Sequence, residues 1–140
     1  MRLKGVLFCL IVVAIIALTG CNQNQPITSP SGGGFTAFKK EFDKRTSVQQ
    51  TEYFSTLKGT EVTWSGTVQN AFVAESENKA RHVVIHVGSA ADYASFTLSA
   101  SDKTDITKLN KGDAITIKGT LVEQGGIVTS WLLNDATVVK

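Results

Sequence analysis

The chain is poor in sulfur and in proline. Its 140 residues hold two cysteines, two prolines and one methionine. Two cysteines exclude a disulfide-dense scaffold. The unbroken apolar run Val6–Leu18 has thirteen residues, short of the roughly 20 that a membrane-spanning helix needs. An excess of one charge is missing as well. Lys and Arg number 14 against 12 Asp and Glu, a formal net charge of +2, without the basic surplus of a dedicated nucleic-acid binder. What the chain does have is apolar bulk. It is 42% hydrophobic with seven Phe, enough to build a core and to exclude wholesale disorder. At about 100–200 residues per domain, its length suits one folded domain.

The N-terminus carries an address. Arg2 and Lys4 precede the apolar run, the pattern of a signal peptide with a basic start and a short hydrophobic region. Leu18-Thr19-Gly20-Cys21 follows directly. These four residues resemble the lipobox of bacterial lipoproteins. The resemblance implies that a diacylglycerol is attached to the Cys21 thiol and that residues 1–20 are cleaved away. Cys21 then carries further acylation such as palmitate, and the lipid bilayer becomes the first partner. Acyl chains anchor a protein to a membrane without spanning it. Cleavage takes Arg2 and Lys4 from the 14 basic residues, leaving 12 against 12 acidic, so the mature chain is neutral. It also takes Cys9, leaving no free thiol and no disulfide. Residue 22 is Asn, not Asp. In a Gram-negative host that points to the outer membrane, facing the periplasm. In a Gram-positive host the anchor sits on the outer face of the cytoplasmic membrane.

Residues 22–34 are polar, hold both prolines and end in three glycines. With Cys21 they read as a tether with about 20 Å of typical reach. Residues 35–140 are then the folded domain. Phe35, Phe38 and Phe42 recur at helical steps, so one face of a short helix over about 36–44 is apolar. Ser47 with Gln50 reads as a capping box opening a second helix over 47–57. That helix presents Val48, Tyr53, Phe54 and Leu57 and ends at Lys58-Gly59. The phenylalanine face suits a plug for one end of a barrel; the alternative is an aromatic groove for a partner.

From Thr60 onward the period is two. Residues 58–68, KGTEVTWSGTV, repeat at 111–121 as KGDAITIKGTL. Each copy is a glycine turn, an alternating strand and a mid-strand Gly, which marks a bulge or a sharp bend. Further strands are expected over 82–87, 94–99 and 126–134, the last continuing through 136–139. Residues 101–110 leave room for about one helical turn. The expected fold is mainly β: a five-stranded OB-fold-like Greek-key barrel preceded by one or two short N-terminal helices. KGTEVTWSG at 58–66, and KGDAITIKG at 111–119 followed by LLNDA at 132–136, resemble the OB-fold lipoproteins of the tRNA_anti-like family over about residues 38–139. The resemblance implies the fold and an anchored binding module. It brings no catalytic residues.

Trp64 shares strand parity with Val62 and Val68, and Trp131 with Ile127 and Leu133, so both are expected in the core rather than as stacking platforms. His82 and His86 lie about 13 Å apart along one strand face, too far to ligate one metal. No metal, cofactor or catalytic set is expected, and the chain is read as a non-enzyme. An OB barrel binds on the outward face of strands two and three, between the first and last hairpin loops. Parity places His82, His86, Tyr93, Ser95 and Thr97 there, flanked by Lys79, Arg81 and Gln124. The expected partner is an envelope protein, a peptide or a glycan. One alternative is an exclusion or immunity lipoprotein, phage- or mobile-element-related, that blocks an envelope component. The other is a surface binder of single-stranded nucleic acid, which the charge argues against. The anchor has a direct test. Cys21→Ala is expected to abolish labelled-palmitate incorporation and cleavage after Gly20, and persistent labelling overturns the assignment.

Overall fold

The three-and-four spacing of Phe35, Phe38 and Phe42 makes one side of α1 (Gly34–Asp43) wholly aromatic, and all three rings are buried. The computed structural model describes residues 34–89, 91–126 and 129–139. The expected signal segment, Cys21 and the expected tether as far as residue 33 lie outside the described residues. α2 (Ser47–Leu57) follows α1. Its N-cap is Thr46, in an extended conformation, and the Thr46 N–H donates to Gln49 Oε1 at 3.0 Å. The capping box therefore sits one residue before the expected Ser47/Gln50 pair, because Ser47 is already helical. Phe54 and Leu57 are buried, Tyr53 is half-buried under the Arg45 guanidinium, 3.7 Å from its centroid, and Val48 is 70% exposed. Val48 is not part of the packed face. It lies nine residues before Leu57, half a circumference away on a helix of about 3.6 residues per turn.

β1 (Glu61–Ala74), β2 (Ala80–His86), β3 (Tyr93–Leu98), a 3₁₀ turn (Ile106–Lys108), β4 (Ala114–Glu123) and β5 (Trp131–Val139) complete the chain. The strands close in the order β1-β2-β3-β5-β4. β3 and β5 are parallel and every other pair is antiparallel. This is an OB-fold-like barrel with two helices before it. The elements differ in extent from the sequence reading at several points. α1 begins at Gly34, within the stretch expected as tether, and β5 begins at Trp131 rather than at residue 126, because the Gly126 N–H closes a turn onto Thr129 O. β1 runs on past Val68 to Ala74, and the segment over 101–110 holds one 3₁₀ turn rather than a turn of α-helix.

The two repeat copies are neighbours in space. β1 and β4 pair antiparallel with Trp64 opposite Ile117, Val62 opposite Gly119 and Gly66 opposite Ile115. Trp64 and Ile117 are also equivalent positions of the repeat, so a local two-fold axis passes through this pair. The flanking turns obey the same symmetry. Gly59 N–H donates to Leu121 O and Gly112 N–H to Val68 O, both at 2.8 Å. Leu121 N–H donates to Thr60 O and Val68 N–H to Asp113 O, both at 2.9 Å. Gly59 and Gly112 adopt φ of 87° and 95°, a region that side chains resist. Gly66 has a different reason. A Cβ there would lie 2.2 Å from the His86 carbonyl oxygen. The bulge of β1 falls three residues later, between Val68 and Asn70. Opposite Gly119 the extra residue is on β5, where Asp135 takes φ 51°.

Inward-facing residues fill the barrel, and both tryptophans are buried as parity requires. α1 seals the end where β1 begins. The Phe35 ring meets Trp64 edge-on at 4.9 Å, and Phe38 and Phe42 meet Trp131 edge-on at 5.0 and 5.1 Å. The phenylalanine helix thus packs on the barrel and not outward as a groove. Ile106 from the 3₁₀ turn is buried with the same core. Truncating a buried Phe to Ala removes about 3–5 kcal/mol. Phe38→Ala is expected to lose that much in urea unfolding, against a change of about 0.5 kcal/mol or less for Val48→Ala at the exposed position. Equal stability of the two variants would remove the sealing role of α1.

Candidate functional site

Antiparallel register decides which outward side chains become neighbours. Val83, Ile85, Ala94, Phe96 and Leu98 point into the core and are buried, so the alternate residues of β2 and β3 face out. His82 pairs with Thr97, Val84 with Ser95 and His86 with Tyr93. β1 extends the sheet on one side, with Phe72 opposite His82 and Asn70 opposite Val84. β5 extends it on the other, with Leu132 beside Ser95. The structure therefore brings His82, His86, Tyr93, Ser95 and Thr97 onto one surface.

Two corners of this surface are aromatic. At the first, the Phe72 ring stacks on His82 at 5.1 Å and 11°, and Phe72 is 41% exposed. His82 Nε2 lies 3.1 Å from Glu77 Oε2, and Nδ1 lies 3.4 Å from Thr97 Oγ1. One proton arrangement satisfies both contacts: Nε2–H donates to the carboxylate and the Thr97 hydroxyl donates to Nδ1. At the second corner, Tyr93 is 36% exposed and its ring lies 5.4 Å from His86. His86 Nε2 donates to the Ser89 carbonyl at 2.6 Å. Ser89 in turn donates through N–H and Oγ to Asp92 Oδ2 at 3.0 and 2.8 Å. Both imidazoles are oriented by hydrogen bonds, so each corner is pre-organised.

The three flanking residues are placed differently. Lys79 is at the exposed β1–β2 turn with φ 59°. Gln124 follows the last residue of β4, at the opposite end of the barrel from that turn. Arg81 has the strand parity of Val83, not of His82, and its guanidinium turns to the loop after β3. It donates to Thr104 O at 2.9 Å, Ser99 O at 2.8 Å and Asp102 O at 2.7 Å. Asp102 is buried beside it, 3.9 Å away, and accepts from Thr104 N–H at 2.8 Å and Val138 N–H at 2.9 Å. Arg81 is thus a clamp between the β3–β4 connection and β2, separated from the aromatic surface.

Phe72 is the surface residue that parity misses. By the alternation of Val62, Trp64 and Val68 it should point inward. The extra residue at the β1 bulge reverses the phase, so Ala71 packs on the core and Phe72 emerges. Its signal was the run Gln69-Asn70-Ala71-Phe72-Val73, which continues the strand beyond the repeat. Elsewhere on the barrel, a shallow depression of about 410 Å³ is lined by Ser65, Leu109, Thr116 and Val139 among others. It lies over β1, β4 and β5 and shares no residue with the aromatic surface.

These features define an OB-fold-like barrel with a patterned outer sheet face. One solved structure of similar fold is that of a putative nucleic acid-binding lipoprotein from Klebsiella pneumoniae subsp. pneumoniae. It has 16% sequence identity and a TM-score of 0.55, and the match covers 76% of this chain and 89% of that one. At that identity the likeness is one of fold. No family model and no curated protein matches the chain.

The clamp generates a pH prediction. Burial pushes the Asp102 carboxyl up, but hydrogen bonds from Val138 and Thr104 and the Arg81 charge outweigh it and hold the carboxyl below its ordinary value. A carboxyl lowered on folding stabilises the fold above its unfolded pKa of about 3.9. That contribution is lost as pH falls through the lower folded value. Wild-type stability should therefore decline below about pH 4, and Asp102→Asn should be less stable at pH 7 with a flatter acid limb. Parallel pH–stability curves would dissociate Asp102 from acid unfolding.

Proposed function

We propose that the protein is a lipid-anchored, extracytoplasmic binding module without catalytic activity. The anchor is Cys21, the tether holds the domain off the bilayer, and the outer face of β2 and β3 takes the ligand. The observation that carries this reading is the pair of oriented aromatic corners, Phe72–His82 and His86–Tyr93. Exposed apolar rings held in fixed geometry on a sheet face are more than a hydrated surface needs. The reading without catalysis rests on the chemistry of the face. The Glu77–His82–Thr97 chain joins a carboxylate, an imidazole and a hydroxyl, but a reacting group also needs oxyanion donors beside the nucleophile. Thr97 lies mid-strand, where the backbone N–H groups are directed along the sheet and not at a substrate.

The fold likeness to a lipoprotein named for nucleic-acid binding favours a second reading, a single-stranded nucleic-acid binder. The charge pattern weakens it. Phosphate contacts dominate such affinity, and Arg81, the guanidinium nearest the face in sequence, is engaged with three carbonyls.

The test is photo-crosslinking in intact cells. A crosslinking residue at Tyr93 is expected to capture an envelope component. The same probe at Thr63, on the β1 strand where it pairs with β4, is expected to capture none. Equal capture at both positions, or none at Tyr93, would remove the β2–β3 face as the binding surface.

A further inference from the structure

Closure of the barrel leaves one stretch of strand edge open. The pairing of β1 with β4 stops at Thr67. The turn before β4 then takes both backbone groups of Val68, whose N–H donates to Asp113 O and whose C=O accepts from Gly112 N–H. Beyond the bulge, β1 keeps β2 alone as its strand neighbour. In an antiparallel pair, residues that bond across alternate with residues whose backbone groups point away. Val68 points away from its β2 partner Ile85. Val83 and Arg81 have the phase of Ile85 on β2, and their partners are Ala71 and Val73. Ala71 and Val73 therefore direct N–H and C=O at the open edge, where none of these groups meets another backbone group among the described residues. Natural edges are blunted by charge, proline or a covering element. The segment Asn70-Ala71-Phe72-Val73-Ala74 holds no charge and no proline, and Phe72 and Val73, on opposite faces, are 41% and 43% exposed.

We propose that a second copy of this chain covers the edge, by antiparallel pairing of the two β1 strands about a two-fold axis at Phe72. The edge is its own complement in that register. Ala71 comes opposite Val73 of the second copy, and the two exchange both backbone bonds. Every free group of Ala71 and Val73 is then used in both copies. Moving the axis to Ala71 would set the bulge residue Gln69 against Val73, and moving it to Val73 would set the loop residue Glu75 against Ala71. At the axis the two Phe72 residues face one another without backbone bonds between them, the closer kind of pair, with Cα atoms about 4.5 Å apart. Aromatic pairs across strands stabilise a sheet. On the other face, Val73 lies beside Ala71 of the second copy. Glu75 comes level with Gln69, next to the Val68 that bonds the turn after Lys111, so opposite charges approach. The sheets of the two copies become continuous, and the second Phe72–His82 corner extends the outer face of the first. A contact this small is weak between free molecules. Copies anchored in one bilayer meet at a higher effective concentration, so the strength of the pairing, though not its register, rests on the Cys21 anchor proposed above.

The experiment oxidises the full lipidated chain in its own membranes. Phe72→Cys is expected to give a disulfide-linked dimer, because facing residues about 4.5 Å apart suit a disulfide. Asn70→Cys alone should give little, since its two copies stand about 13 Å apart across the axis. Asn70→Cys and Ala74→Cys expressed together should crosslink, because they face one another. The exposed Val48→Cys reports random collision. Val73→Pro removes the edge donor and no bond to β2. Added to Phe72→Cys, it should lower the dimer fraction about tenfold. Val73→Lys, which keeps every backbone bond, should do the same by placing charge on the edge. A dimer fraction for Phe72→Cys no higher than for Val48→Cys overturns the pairing. So does a photo-crosslinking residue at Val73 that captures a chain of another mass and not its own, which would assign the edge to another protein's extended segment. Capture at Tyr93 is a separate readout. The Phe72→Cys dimer without it leaves the pairing and removes the binding face; capture without the dimer removes the pairing and leaves the face.

Discussion

Closure of β1 against β4 is the constraint on which the rest of the molecule depends. A sheet of five strands has two edges, and an open edge invites pairing with other chains. Here the two edges carry the same repeated segment, and the repeat pairs with itself about Trp64 and Ile117. The glycine turns at Gly59 and Gly112 donate symmetry-related hydrogen bonds of equal length, so each copy terminates the other. This pairing uses only the first half of β1. The second half is free to bulge, bend away and pair with β2, and that divergence carries Phe72 to the outer surface.

Closure also creates an opening at the barrel end, and the aromatic residues fill it. Trp64 is fully buried, and its indole Nε1 has no hydrogen-bond partner among the described residues. A buried donor left unpaired costs about 1–3 kcal/mol. The surroundings offset that loss. Phe35, Phe96 and Trp131 meet the Trp64 ring at 82° to 86°, the edge-to-face geometry in which ring hydrogens meet π faces. α1 is therefore part of the barrel core despite preceding the barrel in sequence. Three phenylalanines hold it there.

The outer face follows from the same architecture. Register places imidazole beside phenyl and phenol, with Thr97 at the His82 corner and Ser95 opposite Val84 between the two corners, without any local sequence motif. Arg81 illustrates how tertiary structure reassigns a residue. In sequence it neighbours His82 and looks available to an anion. In the fold its guanidinium closes the β3–β4 connection with Asp102, and the outer face of β2 and β3 keeps a polar and aromatic character. The resulting surface differs in chemistry from that expected of a phosphate-reading barrel, while the strand order is the same.

Much of this was legible in the residues alone. Period-two alternation identified all five strands and sorted His82, His86, Tyr93, Ser95 and Thr97 to one face. The repeat announced a curled sheet, and the spacing of Phe35, Phe38 and Phe42 announced a packed helix. These are local patterns with fixed geometric periods, so they survive without a partner in view. Other features depended on distant contacts. The inserted residue at the β1 bulge reversed the phase of Phe72, the exposed first turn of α2 left Val48 unpacked, and the carbonyls of Ser99, Asp102 and Thr104 claimed Arg81. Alternation says which side of a strand a residue occupies only while the strand stays regular. Where the backbone slips by one residue, or where a long side chain meets groups some twenty residues away, the tertiary structure decides.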